Sequence, residues 1–176
     1  MIIMINGAFG VGKTSVATKL RTLLPNCTIY DPEEVGAMLR TITNGILTEL
    51  EATDDYQNIA LWPDLVVDIG KRLHQQYGRS LIVPMTITNP TYFNTIRNGF
   101  AQIDEVQHYC LVANETQLRQ RLLARGQEEG EWCFLQIPRC VTAFRSPLFA
   151  RHIDTNGIDV DSVTNILLNQ IQNSCK

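Results

Sequence analysis

Gly7-Ala8-Phe9-Gly10-Val11-Gly12-Lys13-Thr14 fits the pattern GxxxxGK[ST], and its flanks decide the fold. Met1–Ile5 runs straight into it as a continuous apolar block, as expected for a strand covered on both faces. Val16, Ala17, Leu20, Leu23 and Leu24 form a helical stripe running out of it from Thr14, closed by Pro25. Strand, glycine-rich turn and helix in that order predict a phosphate-binding P-loop. The glycines let successive N–H groups curl around an anion, and the helix N-terminus adds its dipole and unpaired amides. Lys13 brings a point charge to the β- and γ-phosphates, and the Thr14 hydroxyl takes a magnesium coordination position. Gly7, Ala8, Phe9, Gly10, Val11, Gly12, Lys13, Thr14 and the adjoining Ser15 are therefore the candidate nucleotide-binding residues, with Thr14 the candidate metal ligand.

Further along the chain, short apolar strands alternate with amphipathic helices, which predicts a three-layer α/β/α fold on a mainly parallel sheet. Strands are expected at Cys27–Tyr30, Leu81–Val83, Val106–Val112 and Ile153-Asp154. Helices are expected after Asp31-Pro32, from Trp62 to just before Gly78, after Asn89-Pro90, from Asn114 to Arg125-Gly126, and over Val160–Ile171. Another covers Trp132–Phe144, where Pro138 must kink or restart it. Residues 41–58 are polar and weakly periodic, and read as a mobile excursion on the acceptor side. Residues 126–136, opening with an acidic, glycine-bounded run, read as a short lid. No linker or repeat divides the 176 residues, so one domain over 1–176 is expected.

Composition narrows the partners. Fifteen Lys+Arg against eighteen Asp+Glu give a net charge of −3 with no basic run, which argues against a nucleic-acid surface. No tract reaches the roughly 20 apolar residues of a membrane span, and no leader pattern stands at the N-terminus, so a cytoplasmic protein is expected. Cys27, Cys110, Cys133, Cys140 and Cys175 contain no CxxC pair, which predicts free thiols and neither a zinc cage nor a disulfide framework. His108 and His152 read as strand residues, and Trp62, Trp132, Tyr92 and Phe93 as core or pocket walls.

The absence of acidic residues at the end of the Leu81-Ile82-Val83-Pro84-Met85 strand argues against a motor ATPase. The absence of an Asn-Lys-x-Asp motif argues against a GTPase switch. A small-molecule phosphotransferase remains the best class. Arg125 and Arg139 flank the lid and suit the negative charge spread over a transferring phosphoryl group. Arg121 shares a helix face with Arg125, and Arg119 lies on another. A solvated helix face is the alternative for each arginine. Asp31 ends the second strand, expected beside the first, where it can position or deprotonate an acceptor hydroxyl. It is equally a helix N-cap, with Glu34 as its capping-box partner. Thr155 and Gly157, in Asp154-Thr155-Asn156-Gly157 after the last strand, stand where backbone amides would meet a nucleobase.

The sequence resembles the bacterial tunicamycin resistance proteins, a P-loop family related to shikimate and antibiotic kinases. The resemblance rests on Ile5–Thr14, Tyr30-Asp31-Pro32-Glu33-Glu34, Leu81-Ile82-Val83-Pro84-Met85-Thr86-Ile87, and Arg139-Cys140 followed by Ser146-Pro147. It implies ATP binding with Mg2+, a five-stranded parallel core with the P-loop strand central, and resistance to a nucleoside antibiotic. The third strand lacks the triple glycine of shikimate kinases, which argues against shikimate as substrate. Transfer of the ATP γ-phosphate to a small-molecule hydroxyl, with tunicamycin as candidate acceptor, is the leading expectation. ATP-dependent sequestration of the drug without turnover is the alternative, and a regulatory ATPase is a weaker third reading.

Overall fold

A computed structural model describes residues 1–174. Cys175 lies outside the described residues, and Cys27, Cys110, Cys133 and Cys140 are free. Five strands form one parallel sheet: β1 (Ile2–Gly7), β2 (Cys27–Ile29), β3 (Ser80–Met85), β4 (Val106–Val112) and β5 (His152–Asp154), in the order β2-β3-β1-β4-β5. The strand entering the P-loop is therefore central, and all six of its residues are buried. The helices are α1 (Lys13–Leu23), α2 (Pro32–Ile42), α3 (Trp62–Tyr77), α4 (Pro90–Ala101), α5 (Glu115–Leu123), α6 (Trp132–Ala143) and α7 (Val160–Ser174). α1 packs against α7 in one outer layer and α3 against α4 in the other. No helix among the described residues is long and apolar enough to cross a membrane.

Local chemistry explains most boundaries. Asn89 caps α4 by accepting from the Thr91 amide at 2.8 Å, and Asn114 caps α5 by accepting from Gln117 N–H at 2.8 Å. Gly78 ends α3 in the left-handed conformation that a residue with a Cβ adopts only at a cost.

Four expectations change. β2 does not lie beside β1, because β3 pairs with both and separates them. β3 also runs on to Met85 through Pro84. Leu81 N–H donates toward β1 and Ile82 C=O accepts from Tyr30 on the β2 side, so by alternation Pro84 faces the β2 side, just past that strand's end. The missing proline donor therefore breaks no ladder bond. α6 continues through Pro138 without restarting. Finally, residues 41–58 are not irregular throughout. α2 takes in Thr41 and Ile42, Glu51 accepts from Thr48 and Ala60, and the Gln57 amide is buried on the Thr86 carbonyl at 2.7 Å. Several polar side chains of this stretch bind one another and the backbone.

Candidate active site

The P-loop geometry follows from its glycines. Gly10 and Gly12 have φ of 80° and 104°, in the left-handed region. A Cβ on Gly7 would lie 2.6 Å from the Leu111 carbonyl, and one on Gly10 2.8 Å from the Leu118 carbonyl, so the loop must lie this close to β4 and α5. Gly12 is the N-cap of α1 and offers no side-chain acceptor, which leaves the amides of the first helical turn free for an anion. Lys13 arches back and donates from Nζ to Ala8 C=O at 3.0 Å, with Nζ 5.5 Å from the Phe9 ring centroid. Burial lowers its pKa to about 8. Glu33, Cys140 and Asp31 pull the other way, while Arg125 adds to the depression.

A buried polar network fixes the loop to the neighbouring strand. Asn6 Oδ1 accepts from the Gly7 and Ile87 amides, both at 2.9 Å, and Asn6 Nδ2 donates to Ile87 C=O at 2.9 Å. Thr86 Oγ1 donates to Gly7 C=O at 2.9 Å. Through Gln57 on the Thr86 carbonyl, this network also anchors residues 56–58.

A cavity of about 140 Å³ opens over the loop, lined among others by Lys13, Thr14, Asp31, Glu33, Pro84 and Arg125. Asp31 is an N-cap: its Oδ1 accepts from Glu33 N–H at 2.9 Å. That leaves Oδ2 for the cavity. Burial raises its pKa, Glu34 adds to the rise, and the cap hydrogen bond and Lys13 oppose it. Glu33 was not singled out in the sequence. It reaches the same cavity, and burial followed by repulsion from Asp31 raises its pKa. The sequence signal was available: a carboxylate two residues after Asp31, in the first turn of a helix starting at the sheet's C-terminal edge. The start of α2 is fixed from below by Trp62, whose Nε1 donates to Pro32 C=O at 3.1 Å.

A second cleft, about 410 Å³, runs from the loop toward β5. Its lining includes Gly12, Ser15, Arg121, Arg125, Thr155 and Ile158. Arg125 and Gly12 border both spaces, so phosphate cavity and cleft adjoin. Arg121 is the residue that the sequence undervalued. Its guanidinium donates to Val11 C=O at 3.2 Å, Thr155 Oγ1 at 3.0 Å and Thr155 C=O at 2.6 Å, bracing the P-loop against the loop after β5. Thr155 is accordingly buried. Gly157 has φ of 62°, but its amide donates to Gln117 Oε1 at 3.3 Å and so is not free to meet a base.

Arg139 does not line the phosphate cavity. Its Nη2 lies 3.3 Å from Asp55 Oδ2. The α6 axis aims it at residues 54–55, which the sequence could not place. Trp132, read as core or a pocket wall, donates from Nε1 to Asp54 Oδ2 at 2.9 Å and packs edge-on against Phe9 with centroids 5.2 Å apart.

The family model for the AAA domain matches residues 3–133. The tunicamycin resistance protein of Deinococcus radiodurans has a similar structure, with a TM-score of 0.78 and 30% identity over 97% of this chain and 94% of that one. The chain belongs to the tunicamycin resistance protein family, within the AAA domain group. A gluconokinase from Sinorhizobium meliloti is similar at TM-score 0.65 and 14% identity, over 93% of this chain and 86% of that one. A shikimate kinase from Acinetobacter baumannii, in complex with shikimate, is similar at 0.63 and 16%, over 98% and 93%. At those identities the two kinases share the fold of the tunicamycin resistance family. No curated protein matches the sequence.

Proposed function

We propose that this chain is an ATP-dependent small-molecule phosphotransferase that moves the γ-phosphate of ATP to an acceptor hydroxyl, with tunicamycin the first acceptor to test. One observation carries the reading: Lys13 and Thr14 share a single cavity with two carboxylates, Asp31 and Glu33. In this reading the base and ribose occupy the cleft braced by Arg121, and the phosphates lie along the amides of Gly10–Ser15. Arg125, at the junction, meets the negative charge that builds on the transferring group. The acceptor oxygen attacks the γ-phosphorus, the bond to the β–γ bridging oxygen breaks, and the hydroxyl proton passes to Asp31 Oδ2 or Glu33. Burial suits both carboxylates to hold a proton, because it raises their affinity for one.

Thr14 Oγ1 is a hard-oxygen donor that fits Mg2+ held mainly by phosphates and water. With Pro84 where β3 meets the cavity, β2 and α2 supply the carboxylates. When bound, the ion neutralises charge on the phosphates.

Incubation with Mg·ATP and tunicamycin, followed by mass spectrometry of the drug, tests the proposal. The expected product carries one added phosphoryl group. Lys13→Ala abolishes it, and Asp31→Asn slows turnover by about 10²-fold or more with nucleotide affinity nearly intact. Full activity in Asp31→Asn rejects that residue as base. Sequestration is the second reading, favoured by the commitment of Asp31 Oδ1 to its cap. It predicts drug retained in the presence of ATP with its mass unchanged.

A further inference from the structure

We infer that Thr86 is a positioning residue for the nucleotide, and that Gln57 acts on the phosphate loop through it; this rests on the reading that the loop holds ATP. Neither residue lines the phosphate cavity. Both are buried, Thr86 at 5% and Gln57 at 9% exposure, and a buried polar group is destabilising unless it is hydrogen-bonded. Their bonds run in one line. Gln57 Nε2 donates to Thr86 C=O at 2.7 Å, and Thr86 Oγ1 donates to Gly7 C=O at 2.9 Å. A single residue thus joins residues 56–58 to the first residue of the P-loop.

The line meets the loop where pairing between β1 and β3 ends. Those strands are in register only as far as Asn6 with Met85. Beyond that point the Asn6 carboxamide binds both the N–H and the C=O of Ile87, one acceptor and one donor, as a strand's own peptide would. The main chain of β1 is thereby released from β3 to start the P-loop. Both backbone groups of Gly7 meet side chains there, the N–H on Asn6 Oδ1 and the C=O on Thr86 Oγ1. Glycine has the widest backbone freedom of any residue, and these two bonds restrict it just upstream of the amides that must converge on phosphate oxygens. The other end of the line is firm as well. Gln57 N–H donates to Asp55 Oδ1 at 3.1 Å, and Tyr56 packs edge-on against Trp62 with centroids 5.5 Å apart. Residues 55–58 and the phosphate loop are thus coupled through Thr86, and the coupling acts equally in both directions.

Calorimetry of the full chain with Mg2+ and a non-hydrolysable ATP analogue tests the coupling without an acceptor. Thr86→Val keeps the side-chain shape and removes the hydroxyl, and is expected to weaken the analogue about five- to thirtyfold. Thr86→Ser, which restores the hydroxyl, stays within about twofold of wild type. Gln57→Met weakens binding about three- to tenfold, and adds no further loss in the Thr86→Val background, because the link to Gly7 is already cut. Glu49→Gln, on the same segment but outside the line, binds as wild type. A second measurement needs no variant: the analogue is expected to slow amide exchange of residues 55–59 about threefold or more, although none of them borders the phosphate cavity or the cleft toward β5. Wild-type affinity in Thr86→Val, additive losses in the double variant, or exchange of residues 55–59 indifferent to the analogue would each overturn the coupling. No heat from the wild type overturns the nucleotide reading and the coupling with it. The expected affinities beside a tunicamycin assay without product reject that acceptor and keep the coupling.

Discussion

Lys13 is held near the limit of its own charge. Burial brings the ammonium to about 8, so the ligand-free protein loses this cation as the pH rises past that value. A phosphate against Nζ restores its proton affinity. Nucleotide binding at pH 8 should therefore take up about half a proton, and affinity should fall steadily from pH 8 to 10. Calorimetry in buffers of different ionisation enthalpy measures the uptake, and Lys13→Met should abolish it. His108 titrates in the opposite context. It sits on β4 against Phe93, its Nε2 has no partner among the described residues, and burial, with repulsion from Arg97 next, lowers its pKa to about 4. The unfolded chain binds this proton near 6.5 and the folded chain does not. Its contribution to stability is thus present at neutral pH and lost as pH falls from 6.5 toward 4. Between pH 7.5 and 5 it removes on the order of 2 kcal/mol, and denaturant midpoints for His108→Phe should lack that part of the decline. Lys13 was legible in the sequence because its place is set by neighbours within six residues. Glu33 was legible only in part: its place in the first turn after Asp31 is written in the sequence, but its aim depends on where Trp62 holds α2.

The elements divide the same way. Helix starts were readable wherever a side chain caps its own helix, as at Asp31, Asn89 and Asn114. α6 was read over its right span, and of the two outcomes expected at Pro138 only the restart is excluded, because a proline in the sequence does not say whether neighbouring packing holds the turn. Arg121 belongs to this scale, since it joins α5 to two loops through backbone carbonyls that no pattern records. Its removal takes a charged donor from the Val11 and Thr155 carbonyls, leaving the latter only the longer bond from Ile158 N–H. Arg121→Ala should lower the melting temperature, with a loss of about 1–3 kcal/mol, and should weaken adenosine nucleotides more than inorganic triphosphate. Thermal melts and competition binding with the two ligands check both parts. Equal weakening of the two would place the brace's effect on the phosphate loop alone.

At the scale of the molecule, alternation of strands and helices specified an α/β sheet, and the resemblance supplied the central place of β1. Pair order did not follow. Asp31 was expected one strand from the P-loop, yet β3 intervenes and the carboxylate reaches the cavity across its Pro84 end. Crossover connections long enough to skip a strand leave no local trace, so the order was visible only in the assembled sheet. The cavity is thus walled by four regions: the loop after β1, the β2–α2 junction, the Pro84 end of β3, and the α5–α6 segment. Their relative placement is a property of the whole chain.

The two tryptophans divide between the parts of the molecule. Trp62 is enclosed between Tyr56 and Tyr92, whereas Trp132 is partly exposed, edge-on to Phe9 with its indole N–H on a carboxylate. Their light emission is therefore split by environment, a blue component from the enclosed ring and a redder one from the ring near water. An unlabelled sample carries its own internal standard: the ratio of the two colours reports a change around Trp132 against the enclosed Trp62, independent of protein concentration.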